Sequence, residues 1–210
     1  GGGIALGMYF ASLFSPYPFF GLELGPAGQA CVRGLLTFAA ALGGLTIMRM
    51  GGPVQCWAAD RDWKRAARDF LLGSIIGVPL SVLNVAALRF TSGQSLAWQN
   101  PLSAALDALQ PAVVEEVIFR FAAWGLLWLL LKASLPESAV TISGGLALLI
   151  HNYSHFDELF IQSPLTALGM GLVVAVLWGV PPTLLAKKRG LESAIAFHWV
   201  QDVARFWAGL

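Results

Sequence analysis

Three ionisable residues lie inside an apolar segment that is long enough to cross a bilayer. The segment is Pro111–Leu131, and it contains Glu115, Glu116 and Arg120. A charged side chain at membrane depth costs at least about 2.5 kcal/mol on insertion scales, so such residues usually face the interior of a helical bundle and mark a functional site. The chain must therefore fold so that other helices cover these groups.

The order of the three residues suggests a division of roles. On an α-helix Glu116 and Arg120 stand one turn apart on the same face, with the acid first, which favours an ion pair. Glu115 points about 100° away from Glu116. We therefore predict that Glu116 and Arg120 neutralise each other and stabilise the helix, while Glu115 is left for chemistry. A purely structural polar cluster is the alternative.

The composition is that of a membrane protein. Hydrophobic residues make up 57% of the chain, charged residues make up 12%, and the mean hydropathy is +0.69. Soluble domains contain about 25% charged residues. The net charge is +1 and no long basic tract is present, which argues against nucleic-acid binding. We assign no role to Cys31 or Cys56, because their spacing fits no metal site.

We predict a single all-α domain over residues 1–210, folded as a multi-pass transmembrane helical bundle. It should contain about seven spans, each near the ~20 residues that a bilayer requires. The first span is expected to be truncated, because the chain opens without methionine inside an apolar stretch. The predicted spans are Ile4–Phe14, Ala27–Met48, Phe70–Phe90, Pro111–Leu131, Ala139–Phe156, Pro164–Ala186 and Leu191 to the C-terminus.

Two polar connections are expected to carry short helices of their own. The Arg49–Asp69 loop should contain a short amphipathic helix. Leu102–Gln110 should be a separate interfacial helix, because Pro111 removes a backbone donor and tends to break a helix. Asp157 and Glu158 are expected to close the fifth span.

Basic connections alternate along the chain with connections that lack Lys and Arg. The positive charge is concentrated in the Arg49–Arg68 loop, the Lys132–Ser138 turn and the Lys187–Arg189 turn. The positive-inside rule then places these segments and the N-terminus in the cytoplasm. We expect a multi-pass integral protein of a bacterial cytoplasmic membrane.

Two further predicted spans carry the three histidines of the chain. His151 and His155 are one turn apart in the fifth span, and His198 and Asp202 have the same spacing in the seventh. Burying these groups singly would be costly, whereas convergence with Glu115 would satisfy them together. We therefore predict one polar cavity lined by side chains from three spans.

These motifs resemble the CPBP family of intramembrane proteases, also called the Abi family, which includes the Ras-converting type of CAAX prenyl endopeptidase. The family carries Glu-Glu-x-x-x-Arg, Phe-x-x-x-His and His-x-x-x-Asn/Asp on successive helices. Glu115-Glu116-x-x-x-Arg120 matches the first signature in full, and His198-x-x-x-Asp202 matches the third. The resemblance covers a family-like catalytic core at about residues 111–210.

The second signature is imperfect. If His151 is its histidine, the phenylalanine position is occupied by Ala147. If His155 is its histidine, that position is occupied by His151 itself. We prefer His151, because Ser143 lies eight residues before it, as a small residue often does in the family, and because the distance from Glu115 is closer to the usual one.

The resemblance implies a catalytic role for four residues. Glu115 and His151 would activate a water molecule that attacks the scissile carbonyl, and His198 and Asp202 would stabilise the oxyanion. An ionised aspartate cannot donate a hydrogen bond, so we expect Asp202 to orient His198 instead. Glu116, Arg120 and His155 are expected to have supporting roles.

Metal dependence stays open. Glu115, His151 or His155, and His198 together would supply the N and O ligands of a divalent metal such as zinc, with an open position for water. Neither the zinc signature His-Glu-x-x-His nor a Gly-x-Ser-x-Gly nucleophile motif is present.

The expected partners are membrane lipids and a membrane-anchored or prenylated peptide or protein substrate. One alternative is a proton-coupled transporter, in which the glutamates and histidines relay protons. Such a protein often contains two repeated halves, and we find no repeat. A non-catalytic membrane scaffold or bacteriocin-immunity protein is the other alternative.

Overall fold

All regular secondary structure in the described part of the chain is helical. The computed structural model describes residues 25–57 and 61–210, in which seven helices follow one another. The predicted first span, Ile4–Phe14, lies outside these residues. The helices are α1 (Pro26–Arg49), α2 (Trp63–Ser92), α3 (101–131), α4 (Ala139–Tyr153), α5 (Asp157–Gln162), α6 (Pro164–Arg189) and α7 (Leu191–Trp207).

Two of these helices contain a wider, π-helical turn. In α3 the π segment is Glu116–Ala123, between the α-helical parts Pro101–Glu115 and Trp124–Leu131. In α6 it is Ala175–Gly179. Such segments are rare and often occur at functional sites.

Three of the described helices, α1, α2 and α6, are long and apolar enough to cross a membrane. The prediction of an all-α membrane protein is thus supported in this part of the chain. Helices α4 and α7 have 15 and 17 residues. At 1.5 Å per residue they are about 23 and 26 Å long, which is shorter than a bilayer core of about 30 Å. The total of seven spans stays a prediction.

The expected break at Pro111 is wrong, since α3 continues through this residue. Leu102–Gln110 is therefore not a separate interfacial helix. Proline removes one helical hydrogen bond, but Ala104 and Ala108 are fully buried and this part of α3 packs along α7. Tertiary packing thus overrides the local preference for a break.

Other predicted boundaries also shift. Residues 63–69 are the first two turns of α2. The rest of the Arg49–Asp69 loop includes residues 58–60, which lie outside the described residues, so the short amphipathic helix expected there stays a prediction. The side chain of Asp62 caps α2 by accepting a hydrogen bond from the backbone N–H of Arg65 at 3.0 Å. Asp157 and Glu158 begin α5 and do not close the fifth span, which ends at Tyr153.

Helix α7 is held closely between α2 and α3. A Cβ atom added to Gly77 of α2 would lie 3.2 Å from the backbone oxygen of Phe197, and one added to Gly73 would overlap the backbone of Ser193. The Gly-x-x-x-Gly spacing therefore lets the two backbones approach. On the other side, Trp199 Nε1 donates to the backbone oxygen of Ala105 in α3 at 2.8 Å.

The connection between α2 and α3 fastens the C-terminal end of α7. The backbone N–H of Ala97 donates to the oxygen of Ala208 at 3.0 Å, and that of Gln99 donates to the oxygen of Trp207 at 2.8 Å. The rings of Trp98 and Trp207 meet edge to face with centroids 5.0 Å apart. Helix α7 is therefore restrained along its length and at its end.

Candidate active site

A cavity of about 950 Å³ lies among the helices. Leu83 and Leu88 of α2, and Val173 and Leu177 of α6, contribute apolar walls. Its polar lining includes residues of all three predicted signatures: Glu115, Glu116, Arg120, His151, His155, His198 and Asp202. The prediction that Glu115, His151, His198 and Asp202 from three spans line one polar cavity is therefore confirmed.

Glu115 is the point at which the histidines meet. Its Oε2 lies 2.9 Å from His151 Nε2 and 3.6 Å from His155 Nε2, both on the α4 side, and 3.7 Å from His198 Nε2 on α7. The Glu115 side chain is 25% exposed. One carboxylate thus connects two helices and still faces the cavity.

Phe119 fixes the ring plane of His151. The two rings are stacked, with centroids 4.4 Å apart and planes 12° from parallel. Phe119 lies four residues after Glu115 on α3, so both side chains lie on a face directed at α4. Phe119 was not among the predicted site residues, although its i, i+4 spacing from Glu115 was a usable signal.

Glu116 has two partners. It forms the predicted buried ion pair with Arg120, and Glu115 forms none with that arginine among the described contacts. Its Oε1 also accepts a hydrogen bond from His198 Nδ1 at 2.8 Å. The first partner confirms the prediction, whereas the second was missed. Glu116 therefore orients a histidine of the site as well as neutralising an arginine.

Arg120 connects this cluster to α6. Its Nε donates to Thr183 Oγ1 at 3.3 Å, and its Nη2 donates to the backbone oxygen of Gly179 at 3.5 Å. Thr183 also donates to the oxygen of Gly179, at 2.8 Å. Gly179 is the last residue of the π segment in α6. The two π segments thus meet through one guanidinium group.

Asp202 lies beside His198, as predicted. The distance from His198 Nε2 to Asp202 Oδ2 is 3.4 Å. The other oxygen of Asp202 pairs with Arg205 Nη2 at 3.1 Å. Arg205 was missed, although its position three residues after Asp202 favours a pair on one helix face.

The arrangement suits a divalent cation, but with a different ligand set from the predicted one. One ligand atom from each of Glu115, His151 and His155 lies within 4.8 Å of the other two, a grouping found among the described residues. His198 is not in this group. Its Nδ1 bonds to Glu116, and its Nε2 lies 3.4 Å from Asp202 and 3.7 Å from Glu115. A carboxylate with two imidazoles and an open position is the donor set of many catalytic zinc sites.

Apolar helices that could cross a membrane surround a polar cavity, which is the architecture of an integral membrane protein with an internal site. Residues 97–204 match the family described as type II CAAX prenyl endopeptidase, Rce1-like. The match covers half of the chain and includes all three predicted signatures, so the chain belongs to this CPBP family. Membership implies a membrane peptidase. No curated protein and no solved structure matches the chain.

Proposed function

We propose that this protein is an intramembrane endopeptidase that hydrolyses peptide bonds of membrane-anchored or prenylated substrates. The observation that carries the proposal is the meeting of Glu115 with histidines from two helices, at 2.9 Å for His151 and 3.7 Å for His198. A carboxylate held by imidazoles in a cavity suits general acid–base chemistry. Family membership favours this function over a proton-coupled transporter or a non-catalytic scaffold.

Glu115 would act as the general base. It accepts a proton from water as the water oxygen bonds to the scissile carbonyl carbon, and it then delivers that proton to the departing amine as the C–N bond breaks. His151 donates to Glu115 Oε2 and keeps the carboxylate in one orientation, while Phe119 holds the imidazole plane. Positioning of this kind lowers the entropic part of the barrier.

His198 would stabilise the oxyanion of the tetrahedral intermediate. A carboxylate oxygen only accepts hydrogen bonds, so the bond to Glu116 places a proton on Nδ1 and fixes the ring. The opposite nitrogen, Nε2, is directed towards Glu115 and Asp202. The carboxylates of Glu115 and Asp202 beside Nε2 favour the doubly protonated imidazolium. Its Nε2–H is then a donor held in place before the reaction, which is the arrangement that stabilises developing negative charge. Asp202 would orient this ring, supported by Arg205.

If a divalent cation takes part, Glu115, His151 and His155 would hold it. The cation would supply a Lewis acid that polarises the scissile carbonyl. If His151 binds the cation through Nε2, that nitrogen must lose the proton it shares with Glu115 Oε2, so this hydrogen bond and coordination through Nε2 exclude each other. The two versions of the mechanism therefore use the same residues in different protonation states.

We further propose one transmembrane domain over residues 1–210, with about seven spans and a catalytic core at about 111–210, in a bacterial cytoplasmic membrane. The three long apolar helices support the membrane location. The family match, at 97–204, supports the position of the core. The basic connections would face the cytoplasm, as the positive-inside rule predicts.

The decisive experiment compares Glu115→Gln with wild type on a panel of prenylated and unprenylated membrane peptides, using purified protein in proteoliposomes. Glu115→Gln keeps the shape of the side chain but removes the base, so turnover should fall by about 10²–10⁴-fold. Thermal unfolding should change little. The matched control is Glu137→Gln, in an exposed turn outside the cavity.

Near-normal turnover by Glu115→Gln would show that another group is the base. A parallel assay with a metal chelator distinguishes the metal-free from the metal-dependent version of the mechanism. Activity that survives removal of divalent metals supports the metal-free version, in which Glu115 is the base and His198 stabilises the oxyanion. Activity that is lost and then restored by zinc assigns it to the Glu115, His151 and His155 cluster.

A further inference from the structure

The turn between α6 and α7 meets the start of α2 at one end of the bundle. The guanidinium group of Arg65 on α2 donates to the backbone oxygen of Arg189 at 2.9 Å and pairs with the buried Asp69 at 3.3 Å. The backbone N–H of Leu191 donates to the oxygen of Gln55, which precedes α2, at 2.8 Å. Three helices are therefore joined here. We call this region the basic junction, and its described residues are 55–57, 61–69 and 187–192.

The basic junction carries an excess of positive charge. Residues 60–69 and 187–192 contain seven basic and four acidic side chains. Asp69 is buried and paired with two arginines, and Asp62 caps α2. The Glu192 carboxylate accepts a hydrogen bond from a backbone N–H. Three of the four acids are thus engaged by groups of the protein itself, so the outer surface of the junction is strongly basic.

Four basic side chains of the junction are exposed and form no ion pair with a described residue. They are Lys64 on α2 and Lys187, Lys188 and Arg189 at the end of α6. An ammonium group binds a phosphate as a point charge, and a guanidinium group can bind two of its oxygens in a planar fork. One phosphate could therefore neutralise basic groups that belong to two helices.

Aromatic side chains indicate that the junction lies at the level of lipid headgroups. Trp57 and Trp63 are 50% and 65% exposed, and Lys64 Nζ lies 6.0 Å from the ring centroid of Trp63. Tryptophan is enriched where a bilayer meets water. Helix α2 begins at Trp63 and α6 ends at Arg189, and both helices are long and apolar enough to cross a membrane. The exposed basic groups therefore lie where a membrane presents its phosphates.

We propose that the basic junction binds the phosphate of an anionic phospholipid in the leaflet that it faces, and that the bound headgroup stabilises the meeting of α2, α6 and α7. Clusters of about four to eight Lys and Arg residues beside a span are suited to anionic headgroups. A phosphate bonded to basic groups of both helices would hold α2 against α6, which otherwise share few contacts. The inference is independent of the proposed peptidase function.

The test titrates dioctanoyl phosphatidylglycerol into the purified full chain in neutral detergent micelles and measures the midpoint of thermal unfolding. A ligand that binds only the folded state raises this midpoint as its concentration increases. Each basic residue near an anionic lipid surface strengthens binding by about fivefold, so Lys187→Gln/Lys188→Gln should weaken the apparent affinity by about 25-fold. Lys64→Gln should weaken it by about fivefold. High salt should weaken it in wild type, because salt screens exposed charges.

Arg89→Gln/Lys132→Gln is the matched control, because it also removes two positive charges but at positions outside the junction. It should keep the wild-type affinity for phosphatidylglycerol. Dioctanoyl phosphatidylcholine has the same acyl chains without the net negative charge, and glycerol phosphate has the phosphate without the chains. Neither should raise the midpoint as phosphatidylglycerol does.

Three results would overturn the proposal. If phosphatidylglycerol does not raise the wild-type midpoint, or if phosphatidylcholine raises it equally, the junction does not bind an anionic headgroup. If glycerol phosphate raises the midpoint as much as the lipid does, the junction binds a soluble phosphate. If the two double variants have equal affinities, the lipid binds elsewhere. Since the assay needs no peptide cleavage, none of these results bears on the peptidase function.

Discussion

Helices α4 and α7 both bring histidines to Glu115, but they hold them differently. His198 lies within α7, which packs closely on α2 and α3, and its ring is held by Glu116. His155 lies beyond the end of α4 at Tyr153, its side chain is 55% exposed, and it approaches Glu115 only at 3.6 Å. One side of the site is therefore preorganised, whereas the other can adjust to a substrate or a cation.

This difference fits a peptidase site, in which one group stabilises the oxyanion while another adjusts to the substrate or a cation. A donor for an oxyanion acts best when it needs no reorganisation during the reaction, and His198 meets that requirement. His151 is intermediate, since it is buried and stacked on Phe119 but lies in the last turn of α4. We therefore expect activity to depend strongly on the buried contacts that hold His198 on α7, and only weakly on the exposed His155 beyond the end of α4.

The largest expected effect is the loss of stability when Glu116 is removed. Glu116→Ala leaves Arg120 without its buried partner and frees His198, so the free energy of unfolding should fall by about 3–5 kcal/mol. Arg120→Ala should behave alike. Thermal unfolding in detergent micelles measures the change, with Glu137→Ala in an exposed turn as the control. Equal stability of the Glu116 and Glu137 variants would disprove the role assigned to this pair.

The next effect contrasts the two histidines directly. His198→Ala removes the preorganised donor and should lower kcat by about 10²–10³-fold. His155→Ala should lower it by less than about tenfold when divalent metals have been removed, since its exposed ring then only adjusts the field around Glu115. Measuring kcat of both variants on the same peptide tests this contrast. A large loss for His155→Ala that appears only with zinc present would identify it as a ligand.

The smallest effect tests the close packing of α7. Gly73→Ala places a methyl group against the backbone of Ser193, so it should lower the free energy of unfolding by about 1–3 kcal/mol. Gly145→Ala on α4 is the matched control, because no atom lies within 4 Å of its added Cβ. It should leave stability unchanged or raise it slightly. If both variants unfold at the same temperature, the α2–α7 contact does not restrain α7.

Local rules predicted the site better than they predicted the helix boundaries. The Glu116–Arg120 pair follows from i, i+4 spacing alone, and convergence of the histidines follows from the cost of burying them singly. The continuation of α3 through Pro111 depends on alanines that pack against α7, which no local rule reveals. The sharing of Glu116 between Arg120 and His198 likewise arises from the way separate helices meet.

The ligand grouping could not be predicted for a related reason. In the sequence, His155 and His198 are equally good candidates for a metal ligand. They differ in the folded chain, because α4 ends at Tyr153, before His155, and because His198 is bonded to Glu116. The π segments were also not predicted, because a wider turn has no distinct pattern of apolar residues.

The π segment of α3 also lets the two α-helical parts of this helix turn their faces towards different neighbours. A turn closed by i to i+5 hydrogen bonds contains one residue more than an α-helical turn, so it acts as an insertion that the helix absorbs without a loop. The part before it, Pro101–Glu115, is aligned by α7, and the part after it, Trp124–Leu131, by α4 and α1. Each half can meet its own neighbours, and Glu115 and Glu116 lie at the joint where the two alignments are reconciled.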